Sequence, residues 1–129
     1  MLTNSDAVAN VAVKDLDVAM DFYRNTLGLK PEHQEGEELV VFRGGRPSIN
    51  VYRSAFAGTN KATAVTWTVD SVEDEVKTLR QKGVESEHYD LPGMKRRGDV
   101  HMNGQMKAAW FKDPDGNILN VVGKDRSRR

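Results

Sequence analysis

The chain has 129 residues, a length that suits one domain with a real core and is too short for two full-sized ones. Its 19 Lys and Arg balance 19 Asp and Glu, so no overall field draws it to nucleic acid or to an anionic membrane. The absence of cysteine excludes disulfides, thiolate metal sites and cysteine nucleophiles, and suits a reducing cytosol.

Residues 1–7 lack a basic stretch followed by an apolar run, and no segment approaches the roughly 18 apolar residues of a membrane helix, so the expected location is cytoplasmic. Residues 8–13 are rich in Val and Ala and read as a buried strand, after which Asp15 offers a helix N-cap. Leu16, Met20, Tyr23 and Leu27 form a helical stripe, and Gly28 stands at the C-cap, which predicts a helix over 17–27. Strand-like runs follow at 38–43 and 48–52, separated by the turn signal Gly44-Gly45-Arg46-Pro47.

The pattern then returns. Val13, Leu16, Met20 and Tyr23 have counterparts 56 positions later in Val69, Val72, Val76 and Leu79, with Asp70 and Ser71 at the cap and Gly83 at the end. Further strands are expected at 84–90, 106–112 and 118–122, with a loop over 91–104 and the turn Asp113-Pro114-Asp115-Gly116-Asn117. The expected organisation is one domain holding two modules, about 6–53 and 62–123, joined by a linker over 54–61 and followed by a basic tail over 124–129. The tail, with Lys124, Arg126, Arg128 and Arg129, reads as solvated chain.

A βαβββ unit used twice in a short chain resembles the vicinal oxygen chelate superfamily of glyoxalases, bleomycin-resistance proteins and dioxygenases. Two stretches carry the resemblance: Val13-Lys14-Asp15-Leu16 through Phe22-Tyr23-Arg24-Asn25-Thr26-Leu27-Gly28-Leu29, and Ala109-Trp110-Phe111-Lys112 leading into Asp113-Pro114-Asp115-Gly116-Asn117. The resemblance implies an α+β fold in which two tandem βαβββ modules form curled mixed sheets around a central cleft, with helices outside and two chains paired as a homodimer. Fold leaves the chemistry open, because the superfamily holds isomerases, lyases, dioxygenases and proteins that only sequester drugs.

Family metalloenzymes take His, Gln or Glu from the first strand of each half and Glu from its last strand. By register those positions fall on Val8, Ala64, Asn50 and Asn120. Two aliphatic side chains and two neutral amides leave a divalent cation's charge uncompensated, so neither a metal nor another cofactor is expected. The remaining metal candidates are His88, Asp90, Asp99 and His101, with His88 and Asp90 expected on one strand face; solvated surface is the competing reading.

Strand alternation places Val8, Asn10, Ala12, Ser48, Asn50, Tyr52, Ala64, Thr66, Thr68, Ile118, Asn120 and Val122 toward the cleft. Val11, Val13, Ile49, Val51, Val65, Trp67, Val69, Leu119 and Val121 should pack beneath the helices, with Trp67 in the core. Asn10, Asn50, Tyr52, Thr66, Trp110 and Asn120 are therefore the candidate ligand contacts, although the amides equally suit a structural role and Trp110 a place in the core. His88, Tyr89 and His101 are the candidate acids or bases at the cleft mouth, under a lid formed by 91–104. Lys95-Arg96-Arg97 in that lid suits either a clamp for carboxylate or phosphate or a solvated charge run.

The expected function is binding of a small organic molecule, aromatic or polycyclic, as in antibiotic resistance by sequestration. The alternative is an enzyme of the same superfamily, a lyase, isomerase or dioxygenase, working without metal or through unconventional ligands.

Overall fold

The computed structural model describes residues 3–4 and 6–124. Arg126, Arg128 and Arg129 of the expected tail lie outside them. The described chain divides into two compact units, one running to Asn60 and taking in Pro114–Asn117, the other comprising Lys61–Asp113 and the chain from Ile118 onward.

In the first unit β1 (Ala9–Val13) leads to Asp15, whose carboxylate accepts the backbone N–H groups of Asp17 and Val18 and starts α1 (Leu16–Met20). The predicted helix does not continue as an α-helix. Asp21–Thr26 is a π-helical turn, with the Leu27 N–H donating to Phe22 O at 2.9 Å. Phe22 lies off the stripe read from the sequence, yet both it and Tyr23 are buried, and the wider turn accommodates two adjacent aromatic rings against the sheet. Tyr23 packs on Phe42 with ring centroids 5.7 Å apart.

The next strand, β2 (Lys30–Glu35), has no counterpart in the sequence reading. Its sequence, KPEHQE, carries no apolar pattern because it is an exposed edge strand, and a register shift between Pro31 and His33 takes up the proline. With β3 (Leu39–Arg43) and β4 (Ser48–Arg53) the sheet has the order β1-β4-β3-β2, in which only β1 and β4 are parallel. Val11, Val13, Val40, Phe42, Ile49 and Val51 are buried on the helix side, as alternation requires. Val8, expected to begin β1, lies just before it and is exposed.

The Pro114–Asn117 turn belongs to this unit as a clasp on β1. The Asn117 side chain donates to Ala12 O at 2.7 Å, and the Lys14 N–H donates to Asp115 Oδ2 at 3.1 Å. Since β1 pairs with β4 alone, these bonds satisfy backbone groups on its open edge. Gly58 lies against the same turn, where an added Cβ would come within 1.8 Å of Asp115 O.

The second unit repeats the plan. β5 (Thr63–Thr68) leads to Ser71, which caps α2 (Val72–Gln81) by accepting the Asp74 N–H, and Val72, Val76 and Leu79 are buried as their spacing predicts. The expected strand over 84–90 shrinks to β6 (Ser86–Glu87), so His88 and Asp90 share no strand face. The expected loop over 91–104 holds a hairpin, β7 (Lys95–Arg97) and β8 (Val100–Asn103). Lys95, Arg96 and Arg97 form an exposed edge strand, another element without an apolar pattern to announce it.

With β9 (Met106–Lys112) and β10 (Ile118–Lys124) the sheet order is β5-β10-β9-β8-β7, and β6 pairs with β9 beyond β8. The central strand β10 is buried on both faces from Ile118 to Val121. Trp67, expected in the core, is only part-buried because β5 is an edge strand. Among the described residues no helix is long and apolar enough to cross a membrane.

Candidate functional site

Each sheet carries one polar pair at equivalent places on the face away from its helix. In the first unit Asn10 and Asn50 are register partners on β1 and β4, and the Asn50 amide donates to Asn10 Oδ1 at 3.2 Å. In the second, Thr66 and Asn120 are register partners on β5 and β10, and the Thr66 hydroxyl donates to Asn120 Oδ1 at 2.5 Å. Asn120 is 5% exposed, whereas Asn50 is half-buried and Asn10 exposed. The duplication thus extends to side-chain chemistry.

Around the first pair, Glu32 bridges Arg43 Nε at 3.2 Å and the Ser48 hydroxyl at 3.3 Å. Sequence reasoning missed Glu32 and Arg43, since their meeting depends on the unannounced β2. Tyr52 is 38% exposed on the same face. Around the second pair, Trp110 stands opposite Asn120 and donates through Nε1 to the Thr63 hydroxyl at 3.0 Å. Ala64, beside Thr63, is part-buried.

Of the three candidate acids and bases, His88 pairs with Asp99, whereas Tyr89 and His101 lie together with ring centroids 6.4 Å apart. His88 Nε2 lies 2.6 Å from Asp99 Oδ1, and the other Asp99 oxygen meets Arg80. The His88 hydrogen bond holds the Asp99 carboxyl below the usual range against the opposing effect of burial, with Arg80 adding to the lowering. His101 is in β8, not in a lid loop, and is 1% exposed. Its Nε2 accepts the backbone N–H of Tyr89 at 3.0 Å. Burial raises the Tyr89 phenol, with Glu87 adding to the effect and Lys112 opposing it. His88, Asp90, Asp99 and His101 therefore do not form one cluster, and among the described residues no group of three His, Cys, Asp or Glu side chains could hold a metal ion. Arg96 of the proposed clamp turns its guanidinium back to Gly98 O at 2.8 Å.

The profile of the Glyoxalase/Bleomycin resistance protein/Dioxygenase superfamily matches residues 6–121. The chain belongs to this superfamily. An uncharacterized protein of Bacillus subtilis (strain 168), YurT, is 23% identical over 134 residues, covering 91% of this chain and 97% of YurT. Among solved structures, lactoylglutathione lyase from Agrobacterium tumefaciens superposes with a TM-score of 0.70 at 19% identity, covering 92% of this chain and 93% of the lyase. The fosfomycin resistance protein FosX from Listeria monocytogenes superposes with a TM-score of 0.72 at 14% identity, covering 96% of each chain. These likenesses establish the superfamily fold.

Proposed function

We propose that this superfamily member binds small organic molecules without a metal ion, each unit offering its own sheet face, with Asn10 and Asn50 in the first and Thr66 and Asn120 in the second. The observation that carries the proposal is the engagement of both amides by neutral partners, Asn50 with Asn10 and Thr66 with Asn120. The superfamily's metal positions fall by register on Val8, Asn50, Ala64 and Asn120, two aliphatic groups and two amides, and this donor set does not fit a divalent cation. No step through a metal is therefore derived. The faces offer neutral donors and acceptors beside Tyr52 and Trp110, which suits an organic ligand held at a few polar points. A homodimer, cytoplasmic location and a role in resistance by sequestration form part of the same proposal; light scattering giving a monomer mass at micromolar concentration overturns the dimer.

The deciding experiment is elemental analysis of protein purified without chelator, followed by equilibrium dialysis against Zn, Ni and Mn. The expected result is less than stoichiometric metal in both. One tightly bound ion per chain overturns the proposal.

A further inference from the structure

Two polar atoms of the second unit, Tyr89 Oη and His101 Nδ1, are buried with no hydrogen-bond partner. Because His101 Nε2 accepts the Tyr89 N–H, the neutral imidazole carries its proton on Nδ1, so the unmatched imidazole atom is a donor. The phenol supplies a second donor. Trp110 stands nearly perpendicular to both rings, with centroids 4.9 Å from His101 and 5.5 Å from Tyr89. His101 pairs with Ala108, two residues from Trp110, and Trp110 pairs with Asn120, so these side chains share the sheet face of the Thr66–Asn120 pair.

Leaving a buried donor unmatched is unfavourable. Tyr89 lies in the segment 88–91, which has no regular structure and is tied down by the Tyr89 N–H to His101 and by His88 to Asp99. The nearby charges, Glu87 and Lys112, lie 3.3 Å apart and offset each other, which favours a neutral oxygen over an anion.

We propose that Tyr89, His101 and Trp110 form a subsite for a planar aromatic ketone, entered when the 88–91 segment lifts and re-forms over the ligand. The carbonyl oxygen accepts from His101 Nδ1–H and Tyr89 O–H, and the flat ring packs against Trp110. This deepens the metal-free binding proposed above and rests on it.

The test uses 1-indanone and indane, flat bicyclic compounds that differ in one carbonyl, titrated into the full chain and followed by NMR at the Trp110 indole and Tyr89 backbone N–H signals. Two neutral hydrogen bonds predict that 1-indanone binds about tenfold tighter than indane. Tyr89→Phe should weaken 1-indanone about three- to tenfold and leave indane unchanged. The same variant should keep or raise the melting temperature, because it removes an unmatched buried hydroxyl. Equal affinities of the two compounds overturn the subsite alone, as does binding of neither; the metal analysis above judges the broader proposal independently. A melting temperature lowered by Tyr89→Phe also overturns it, since the hydroxyl would then be structural.

Discussion

Replacing the Thr66 hydroxyl by a methyl of similar size, Thr66→Val, asks how burial sets the energetics of the two equivalent polar pairs. Asn120 is 5% exposed, and the Thr66 hydroxyl donates to its Oδ1 at 2.5 Å. The valine leaves that buried oxygen without its donor, a loss of about 1–3 kcal/mol. The matching change in the first unit, Asn10→Ala, removes an exposed acceptor from a half-buried amide that water can reach, so the loss should stay within about 0.5 kcal/mol. Urea unfolding read by circular dichroism supplies both midpoint and slope, and only the midpoint should move. Combining Thr66→Val with Asn120→Ala completes a cycle in which a coupling of about 0.5–1.5 kcal/mol is expected. A Thr66→Val protein as stable as the parent, or an Asn10→Ala protein less stable than Thr66→Val, would refute the reasoning.

Gly58→Ala should lower the melting temperature far more than Gly45→Ala: both glycines have positive φ, +72 and +67, but only at Gly58 does an added Cβ meet the Asp115 carbonyl. The control should lose about 1–2 kcal/mol from backbone strain, and equal losses in a differential scanning calorimeter would contradict the clasp. The His88 hydrogen bond, with Arg80 adding to it, holds the Asp99 carboxyl below the usual aspartate value in the folded chain, so its contribution is fully present above that usual value and disappears as pH falls through the folded one. The stability gap between the parent and Asp99→Asn should therefore be constant near neutrality and narrow as the solution is acidified below the usual aspartate range, and a gap that acidification leaves unchanged would place the lowering elsewhere.

Elements that bury an apolar face were legible because burial leaves a period in the sequence. The stripe of Val72, Val76 and Leu79 predicts α2, and the alternation of Val11, Val13, Ile49 and Val51 identifies the helix-facing side of the first sheet. Edge strands β2 and β7 left no such record, since KPEHQE and KRR gain their place from backbone pairing with a neighbour. The candidate residues Asn10, Asn50, Thr66 and Asn120 were likewise readable from strand parity and duplication. Glu32 beside Arg43 was not, because β2 brings them together.

What the sequence determined by itself is a repeated strand–helix unit, since strand, cap and stripe recur 56 positions apart and each follows from local physics. The tertiary structure alone decided that the Pro114–Asn117 turn clasps β1, that the amides pair with Asn10 and Thr66, and that His88 and His101 part company. Those outcomes depend on partners 40 to 105 positions away for Asn50, Thr66 and Asn117, and on whether a two-residue strand ends before His88. Side-chain hydrogen bonds at such separations follow from register and strand order, which local propensity does not encode.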